Sequence, residues 1–420
     1  MTLNLLLAAT AGAFDVDTAT RAYLDTVSGP VRARSDAYFE GGYWMLMWGT
    51  LISVLINGLV LHLGWSSRWS RAASRRTKRP WLRTILYALP YILVTGLMVM
   101  PWVIYGDYFR EHQYGMSTQT LGGFLGDQGK SLLVSLIIGP LVAAAIYGVI
   151  RRAPRTWWLW GTGVVVSFMT FGALLAPVFI APMFNSYTPM AEGPVRQQIL
   201  AMARANKVPA DNVYVVDASR QTNRISANVS GLGPTVRISL NDNLLNRTSP
   251  EEVKAVMGHE LGHYVLNHVI KMLLAFTVVV LAVFLFLWWA TPRLLLRYGG
   301  RWGVRDVADP ASMPALVLLT ALAMLVATPF TNSIIRHNEN EADAFGLDAA
   351  REPDGFAHVA MRLSEYRKLE PSALEEMIFF DHPSGYNRAH RAMEWKARHL
   401  AELPPAKRAM AKPELLTVAN

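Results

Sequence analysis

The sequence predicts a mainly α-helical, multi-pass membrane protein of about six spans, with a small α+β portion beside them. Hydrophobic residues make up 52% of the 420 residues, and six long runs are apolar enough to cross a bilayer. Basic residues are concentrated in the connections between alternate runs. A membrane-spanning helix needs about 20 mostly apolar residues. Buried helices of a large soluble protein are the alternative, which six such runs make much less favourable.

The candidate spans divide the chain into five parts. These parts are a lead-in at 1–41, four spans within 42–180, a soluble segment at 181–268, two spans within 269–335, and a C-terminal segment at 336–420. The spans themselves are expected at residues 42–64, 84–106, 131–150, 156–180, 269–290 and 313–335. Residues 1–14 join a short apolar run to small residues and resemble a signal-peptide core, although no Lys or Arg precedes the run.

The net charge of +9 is arranged around the candidate spans. Residues 65–83, 151–155 and 291–312 together hold 14 Lys and Arg against two Asp, a local charge of +12 that leaves −3 for the remainder. With six spans, all three segments lie on one side of the membrane, and the positive-inside rule makes that side cytoplasmic. This placement indicates contact with membrane lipid and no nucleic-acid partner. In a bacterium the membrane would be the inner, cytoplasmic one.

The segment 181–268 changes to a soluble character. Residues 194–206 have helical periodicity. The β-branched runs 212–217 and 236–240 predict two strands of a small hairpin or sheet. This segment is therefore expected to form the α+β portion of the fold.

A further helix is expected to begin at about residue 250. Ser249 suits an N-cap, Pro250 suits the first helical position, and Glu252 completes a capping box. The helix would run without a breaker through the sequence HELGH, residues 259–263. The sequence allows it to continue into the fifth span.

HELGH has the form of a zinc-protease signature. His259 and His263 are four residues apart, so both imidazoles of a helix point from one face toward a single ion. Glu260 lies about 100° round from His259, close enough to hold a water on that ion. The chain has no cysteine, so every metal ligand must be nitrogen or oxygen. Because the motif arises by chance in on the order of one chain in a hundred of this length, a third ligand is needed.

The third ligand is expected in RHNENEADAFGL, residues 336–347, which two further spans return to the side of the histidines. Glu339 and Asp343 share a helical face, whereas Glu341 lies about 200° round from Glu339 and should point away. We therefore predict one Zn²⁺ per chain with Glu339 as third ligand. Asp343 is predicted to orient a ligand imidazole. The alternative is a solvated acidic helix terminus.

Three protein ligands leave one position of a tetrahedral zinc for water, whose pKa falls to about 7. Glu260 can take that proton and return it to the leaving amine of a peptide bond. His382 and Arg388, in DHPSGYNR, are candidate donors to the developing negative charge, although each alone is more often an ordinary surface residue.

A peptide substrate must also be held extended. Ser226, Ala227 and Asn228, in SANVSG, form the candidate edge strand that would pair with the substrate backbone.

Several segments together resemble the integral-membrane type I CAAX prenyl proteases and their bacterial homologues, which are zinc metallopeptidases of the gluzincin type. GHELGHYVLNH resembles the metal-helix signature of that family, and ENEADAF at 339–345 resembles its third-ligand motif. HPSGYNR resembles its His-Pro with an Arg six residues after the His. Further segments that resemble the family lie at residues 115–121, 179–193 and 237–245.

The resemblance implies a helical barrel around a large aqueous chamber within the membrane, into which the metal site opens. Eukaryotic members cleave prenylated C-terminal tails. The chain departs from the family pattern in two places. The first span is absent or reduced to residues 1–14, and Ile225, Ser226, Ala227 and Asn228 stand where the family often has Ser-Asn-Ala-Tyr. Eukaryotic relatives carry the metal on the cytosolic face, whereas the basic segments here predict a non-cytoplasmic metal site.

The predicted function is a membrane-embedded zinc endopeptidase whose partners are hydrophobic or lipidated peptide or protein substrates. A broad-specificity quality-control protease without a prenyl requirement is the alternative. A transporter or scaffold with a vestigial site is a third hypothesis, which zinc content would test. The sequence does not define the oligomeric state.

Overall fold

The computed structural model describes residues 14–231, 236–409 and 413. Residues 1–13 of the signal-like segment lie outside the described residues. The α-helices are α1 Val16–Leu24, α2 Gly29–His62, α3 Trp65–Arg76, α4 Pro80–Val103, α5 Glu111–Gln113, α6 Leu121–Arg152, α7 Trp157–Leu175, α8 Pro194–Ala205, α9 Asp242–Arg247, α10 Pro250–Val265, α11 His268–Trp302, α12 Met313–Ala350, α13 Pro353–Leu363, α14 Ala373–Phe379, α15 Gly385–Arg398 and α16 Pro405–Arg408.

Six helical stretches of the described chain are long and apolar enough to span a membrane, which confirms the predicted fold class. They are Gly29–His62, Pro80–Gln113, Leu121–Arg152, Trp157–Met183, His268–Trp302 and Pro310–Ala350. Most are longer than the sequence predicts. Helix α12 has 38 residues, which at 1.5 Å per residue is about 57 Å, almost twice the roughly 30 Å of a hydrocarbon core. The helices therefore extend beyond the bilayer into the soluble portion.

The three basic segments lie together at one end of the helical bundle. Ser70 of α3 donates a hydrogen bond to Asp309 Oδ1 at 2.6 Å, which joins the first segment to the third. Arg151 Nη1 donates to Thr84 Oγ1 at 3.3 Å, which joins the second to the start of α4. The structure thus gathers on one face the charges that the sequence assigns to one side.

A four-stranded sheet lies in the soluble portion. Its strands are β1 Tyr187–Pro189, β2 Val213–Val216, β3 Ala227–Ser230 and β4 Arg237–Asn241. Their order is β1-β2-β4-β3, with β2 parallel to β4 and the other two pairs antiparallel. The two predicted strands are confirmed as β2 and β4, which are parallel neighbours in a sheet and do not form a hairpin. Strand β3 lies at an edge of the sheet.

Helix α10 packs against this sheet through a buried apolar core. Ile238 and Leu240 of β4 belong to the same cluster as Met257 and Leu261 of α10, and each of these side chains is fully buried. Burial of a large apolar side chain stabilises the fold by about 1.5–3 kcal/mol. The sheet and α10 therefore form one rigid unit.

Helix α1, in the described part of the lead-in, belongs to the soluble portion. Tyr23 and Leu24 of α1 are buried in a second cluster with Phe356 of α13 and Met393 of α15. Tyr23 also donates a hydrogen bond to Asp354 at 2.7 Å. Helix α1 thereby links the start of the described chain to the C-terminal helices.

Helix α10 begins as the sequence predicts but ends before the fifth span. Ser249 and Glu252 form a complete capping box. Asn267 then adopts a left-handed conformation with φ of 56°, and α11 starts at His268. Asn tolerates this backbone conformation better than most residues because its short polar side chain can bond locally. The turn separates the metal-site helix from the span.

Candidate metal centre and active site

Two glycines allow the backbones of α10 and α12 to approach closely. A Cβ atom on Gly346 would lie 2.7 Å from the backbone nitrogen of His259. A Cβ atom on Gly258 would lie 2.8 Å from the carbonyl oxygen of Gly346. Contacts this short have no room for a larger residue. The crossing brings Glu339 on α12 opposite His263 on α10.

The side chains of His259, His263 and Glu339 converge on one point. The two Nε2 atoms are 3.1 Å apart, and the oxygens of Glu339 lie 3.2 Å from His259 Nε2 and 3.5 Å from His263 Nε2. Tetrahedral zinc with nitrogen and oxygen bonds of 2.0–2.2 Å places its ligand atoms about 3.3 Å apart. Glu339 Oε2 is buried without a hydrogen-bond partner among the described residues. This set of donor atoms therefore fits a divalent ion such as zinc.

The protonation of the two histidines agrees with a cation site. Burial and the neighbouring His259 lower the pKa of His263 to about 4, so its imidazole is neutral. Burial alone would lower the pKa of His259, but contacts with Asp343 and Glu339 raise it to about 10. The carboxylates thus favour a positive charge at this position, which a proton or a metal ion supplies.

A buried chain of contacts fixes the orientation of His259. Its Nδ1 lies 2.8 Å from Asp343 Oδ1. Arg388 donates from Nε and Nη2 to the two oxygens of Asp343, at 3.0 and 2.6 Å. Asp343 and Arg388 are both buried. Arg388, expected to donate to substrate, therefore commits two of its donors to Asp343, because a bidentate pair is the most favourable use of a buried guanidinium beside a carboxylate.

A second chain of contacts supports His263. Its Nδ1 lies 2.8 Å from Nδ1 of His268, whose Nε2 lies 3.1 Å from Glu341 Oε2. Lys271 donates to the same oxygen at 2.5 Å. Glu341 points away from Glu339, as the helical spacing predicts. The imidazole of His263 is thus held from the side opposite the metal point.

His382 lies at the edge of the metal centre. Its Nε2 is 3.3 Å from Glu339 Oε2, and its Nδ1 is 2.8 Å from Asp381 Oδ1. The ring is a quarter exposed. It can therefore reach both Glu339 and a molecule bound beside it.

A cavity of about 360 Å³ opens beside these residues. Glu260, His382 and the candidate strand residues Ser226 and Ala227 line it. Asn228, the third candidate strand residue, is exposed further along β3 and is not part of the lining. Burial raises the pKa of Glu260 to about 7, so this carboxyl group can gain and lose a proton near neutral pH.

Several residues around the site were not found from the sequence. His268 and Asp381 lie inside the segments GHELGHYVLNH and DHPSGYNR, but the spacing of those segments gives neither residue a role. Arg224, Tyr366 and Arg367 also line the cavity. No spacing rule connects these three with residues 259–263, because only the tertiary fold brings them together.

The chain is similar to known proteases along most of its length. The model of peptidase family M48 matches residues 189–396. A model described as the CAAX prenyl protease N-terminal region, with five membrane helices, matches residues 22–186. The uncharacterized metalloprotease YhfN of Bacillus subtilis (strain 168) is 30% identical over 351 residues, which are 83% of this chain and 80% of that protein.

Two further similarities come from eukaryotes. The CAAX prenyl protease 1 homolog of Oryza sativa subsp. japonica is 28% identical over 307 residues, which are 71% of this chain and 68% of that protein. The crystal structure of S. mikatae Ste24p superposes with a TM-score of 0.75 at 18% identity, covering 90% of this chain and 96% of that one. That structural likeness concerns the fold.

The family models and the bacterial relative indicate a membrane metallopeptidase. The six apolar helices of the described chain agree with this class. The chain belongs to peptidase family M48 and is an integral-membrane metalloendopeptidase related to the CAAX prenyl proteases.

Proposed function

We propose that the chain binds one Zn²⁺ through His259, His263 and Glu339 and hydrolyses peptide bonds in the adjoining cavity. The observation that carries the proposal is the convergence of these three side chains within 4.8 Å, beside a cavity that Glu260 lines. Bound zinc would supply a Lewis acid that polarises the peptide carbonyl and makes water acidic.

The protein side chains then have separate tasks. Glu260 accepts a proton from the attacking water and returns it to the leaving amine, which its pKa near 7 favours. His382 donates to the negative charge that develops on the carbonyl oxygen. Asp343 and Arg388 act through His259, whose orientation they fix.

The edge position of β3 supports a role in holding the substrate. Among the described strands, β3 pairs only with β4, so its other edge is available to an extended peptide. Ser226 and Ala227 line the cavity, and Asn228 is the next residue of β3. A substrate backbone added to this edge would pass Glu260.

Hydrophobic or lipidated peptides are the proposed substrates, with membrane lipid as the surrounding medium. An apolar cavity of about 1060 Å³ lies between α11 and α12. Val278, Val326 and Phe330 are among its lining residues, and so is Asn338, which precedes Glu339 in α12. Such a cavity can take an alkyl or prenyl chain while the attached peptide reaches the metal centre.

A farnesylated peptide and its unmodified twin provide the test of this function. We expect the zinc-loaded chain to cleave both and to show a KM at least about ten-fold lower for the farnesylated one, because burial of each CH₂ group contributes about 0.8 kcal/mol. A peptide with a saturated alkyl chain of similar length is the control for nonspecific apolar binding. Equal kcat/KM for all three peptides would favour a broad quality-control protease, and cleavage of none would refute the proposed activity.

We also propose that the metal centre faces the non-cytoplasmic side. The three basic segments lie at one end of the bundle. Helix α11 ends there, and α12 returns from there to the opposite end, where Glu339 lies. We expect reporters inserted in residues 65–83 to be cytoplasmic, and a reporter after Asn420 to be non-cytoplasmic. Insertions within 291–312 serve as the control for the first location. A cytoplasmic C-terminus would contradict this orientation.

A further inference from the structure

A second cavity adjoins the one that contains Glu260. Its volume is about 480 Å³, and it shares Arg224, Tyr366 and Arg367 with the first cavity. Phe39 and Phe379 contribute apolar surface to its wall. The two cavities are therefore direct neighbours, and a molecule bound beside Glu260 lies next to this space.

Three hydrogen-bond donors in this cavity lack protein partners. The guanidinium of Arg367 makes no hydrogen bond and no ion pair within 4 Å with any residue in the described ranges. It lies 5.7 Å from the centroid of the Tyr366 ring, and Asp381 in the same cavity wall interacts with it electrostatically at longer range. Nε of Arg224 and the hydroxyl of Tyr43 are buried and unpartnered within the same part of the chain. Buried donors without partners are costly and rare in folded proteins. Two of them in the wall of one cavity, beside the half-buried guanidinium of Arg367, indicate a missing acceptor.

The charges around the cavity favour an anion. Its lining includes three arginines, Arg110, Arg224 and Arg367. Two nearby carboxylates have partners, since Glu111 accepts a hydrogen bond from Arg224 at 2.7 Å and Asp381 lies 2.8 Å from His382 Nδ1. Among the described residues, the cavity wall holds three guanidinium groups and one carboxylate, that of Asp381, so the net charge of the wall is positive.

Two of these cations lie near the same aromatic ring. Arg224 and Arg367 lie 5.3 and 5.7 Å from the centroid of the Tyr366 ring. The ring attracts each guanidinium, but the two like charges repel one another more strongly in a partly desolvated cavity than in water. A bound anion between or beside them would remove that repulsion.

We propose that Arg367, with Nε of Arg224 and the hydroxyl of Tyr43, binds the free C-terminal carboxylate of the peptide substrate. The inference rests on the proposed peptidase function, since a peptide lying past Glu260 brings its end into the second cavity. A carboxylate accepts two parallel hydrogen bonds from one guanidinium, and such pairs are about twice as strong as neutral ones. The site therefore selects substrates by their C-terminus.

The test uses twin peptides that end in a free carboxylate or in an amide, with the zinc-loaded full-length chain. We expect KM for the acid to be roughly 10- to 100-fold lower than for the amide, as a charge-assisted hydrogen bond predicts. Arg367→Gln should bring the ratio of the two KM values to about one, and Arg367→Lys should retain part of it. Arg204→Gln removes an exposed charge on α8 that is not part of the cavity lining, and should leave the ratio unchanged.

Binding separates this inference from the peptidase activity. Fluorescence anisotropy of the labelled twins on the Glu260→Gln chain needs no turnover. Tighter binding of the acid, lost when Arg367→Gln is added, supports the carboxylate site even if neither peptide is cleaved. Equal binding of the twins overturns it even if both are cleaved.

Two further controls address folding and the source of the anion. Tyr43→Phe retains the stacking on Phe379 at 3.8 Å and removes only the hydroxyl, so a reduced preference for the acid in this variant supports the site without altering Arg367. An amidated peptide that ends in Glu presents a side-chain carboxylate. If it binds as tightly as the free acid, the C-terminal assignment is wrong.

Discussion

Replacing Glu260 by Gln is expected to lower kcat/KM by on the order of 10²–10⁴-fold. Gln keeps the size of the side chain and its hydrogen bonding, but it cannot accept a proton from water. Glu260 lines the cavity and has a pKa of about 7, so it is the group placed to transfer that proton. Cleavage of a farnesylated reporter peptide measures the effect.

The zinc content of the Glu260→Gln variant distinguishes loss of the proton acceptor from loss of the metal site. Because Glu260 is not among the three converging ligands, the variant should retain one zinc per chain by elemental analysis. Glu251→Gln is the matched control, since Glu251 is exposed in the first turn of the same helix. Activity of Glu260→Gln within a few-fold of the unsubstituted chain would mean that another group takes the proton.

Replacing Gly346 by Ala is expected to remove both activity and tight metal binding. The new methyl group would lie 2.7 Å from the backbone nitrogen and 2.9 Å from the Cα of His259, so the backbones of α10 and α12 must separate. Overpacking of this kind destabilises a fold by about 1–3 kcal/mol. Displacement of Glu339 by about 1 Å relative to the histidines would reduce activity by about 10²-fold.

The measurements are zinc affinity by competition with a chelator, and thermal unfolding of the chain in detergent. Gly163→Ala is the control, because Gly163 is also helical and a Cβ there would meet nothing within 4 Å. That substitution should be neutral or slightly stabilising. If Gly346→Ala binds zinc as tightly as the unsubstituted chain, the close crossing is not what sets the ligand geometry.

Local geometry explains which parts of the site the sequence could predict. His259 and His263 share a face because four residues make about one helical turn, and the same rule pairs Glu339 with Asp343 and separates Glu341. The structure brings His259, His263 and Glu339 together. The six spans were predictable for a similar reason, since apolar length along a helix is a property of the sequence alone.

Contacts between distant segments explain what could not be predicted. Arg388 binds Asp343, 45 residues earlier, only because α15 packs beside α12. The expected oxyanion role of Arg388 followed from its type and not from its neighbours. Arg367 lies in a segment without a motif, and its position beside Arg224 depends on the whole soluble portion. The turn at Asn267 was missed because an Asn in a helical pattern is a weak break signal.

The continuity of α12 has a mechanical consequence. The helix bears a transmembrane part, Glu339 and the contact at Gly346 in one piece. If it tilts rigidly about Gly346, a movement of about 1 Å near residue 313, roughly 50 Å away, becomes about 0.2 Å at Glu339, roughly 10 Å away. That residual equals the spread of about 0.2 Å that metal–ligand distances tolerate. In that case a fluctuation of the helix end near residue 313 would reach the metal centre reduced about five-fold, and the ligand geometry would be preserved.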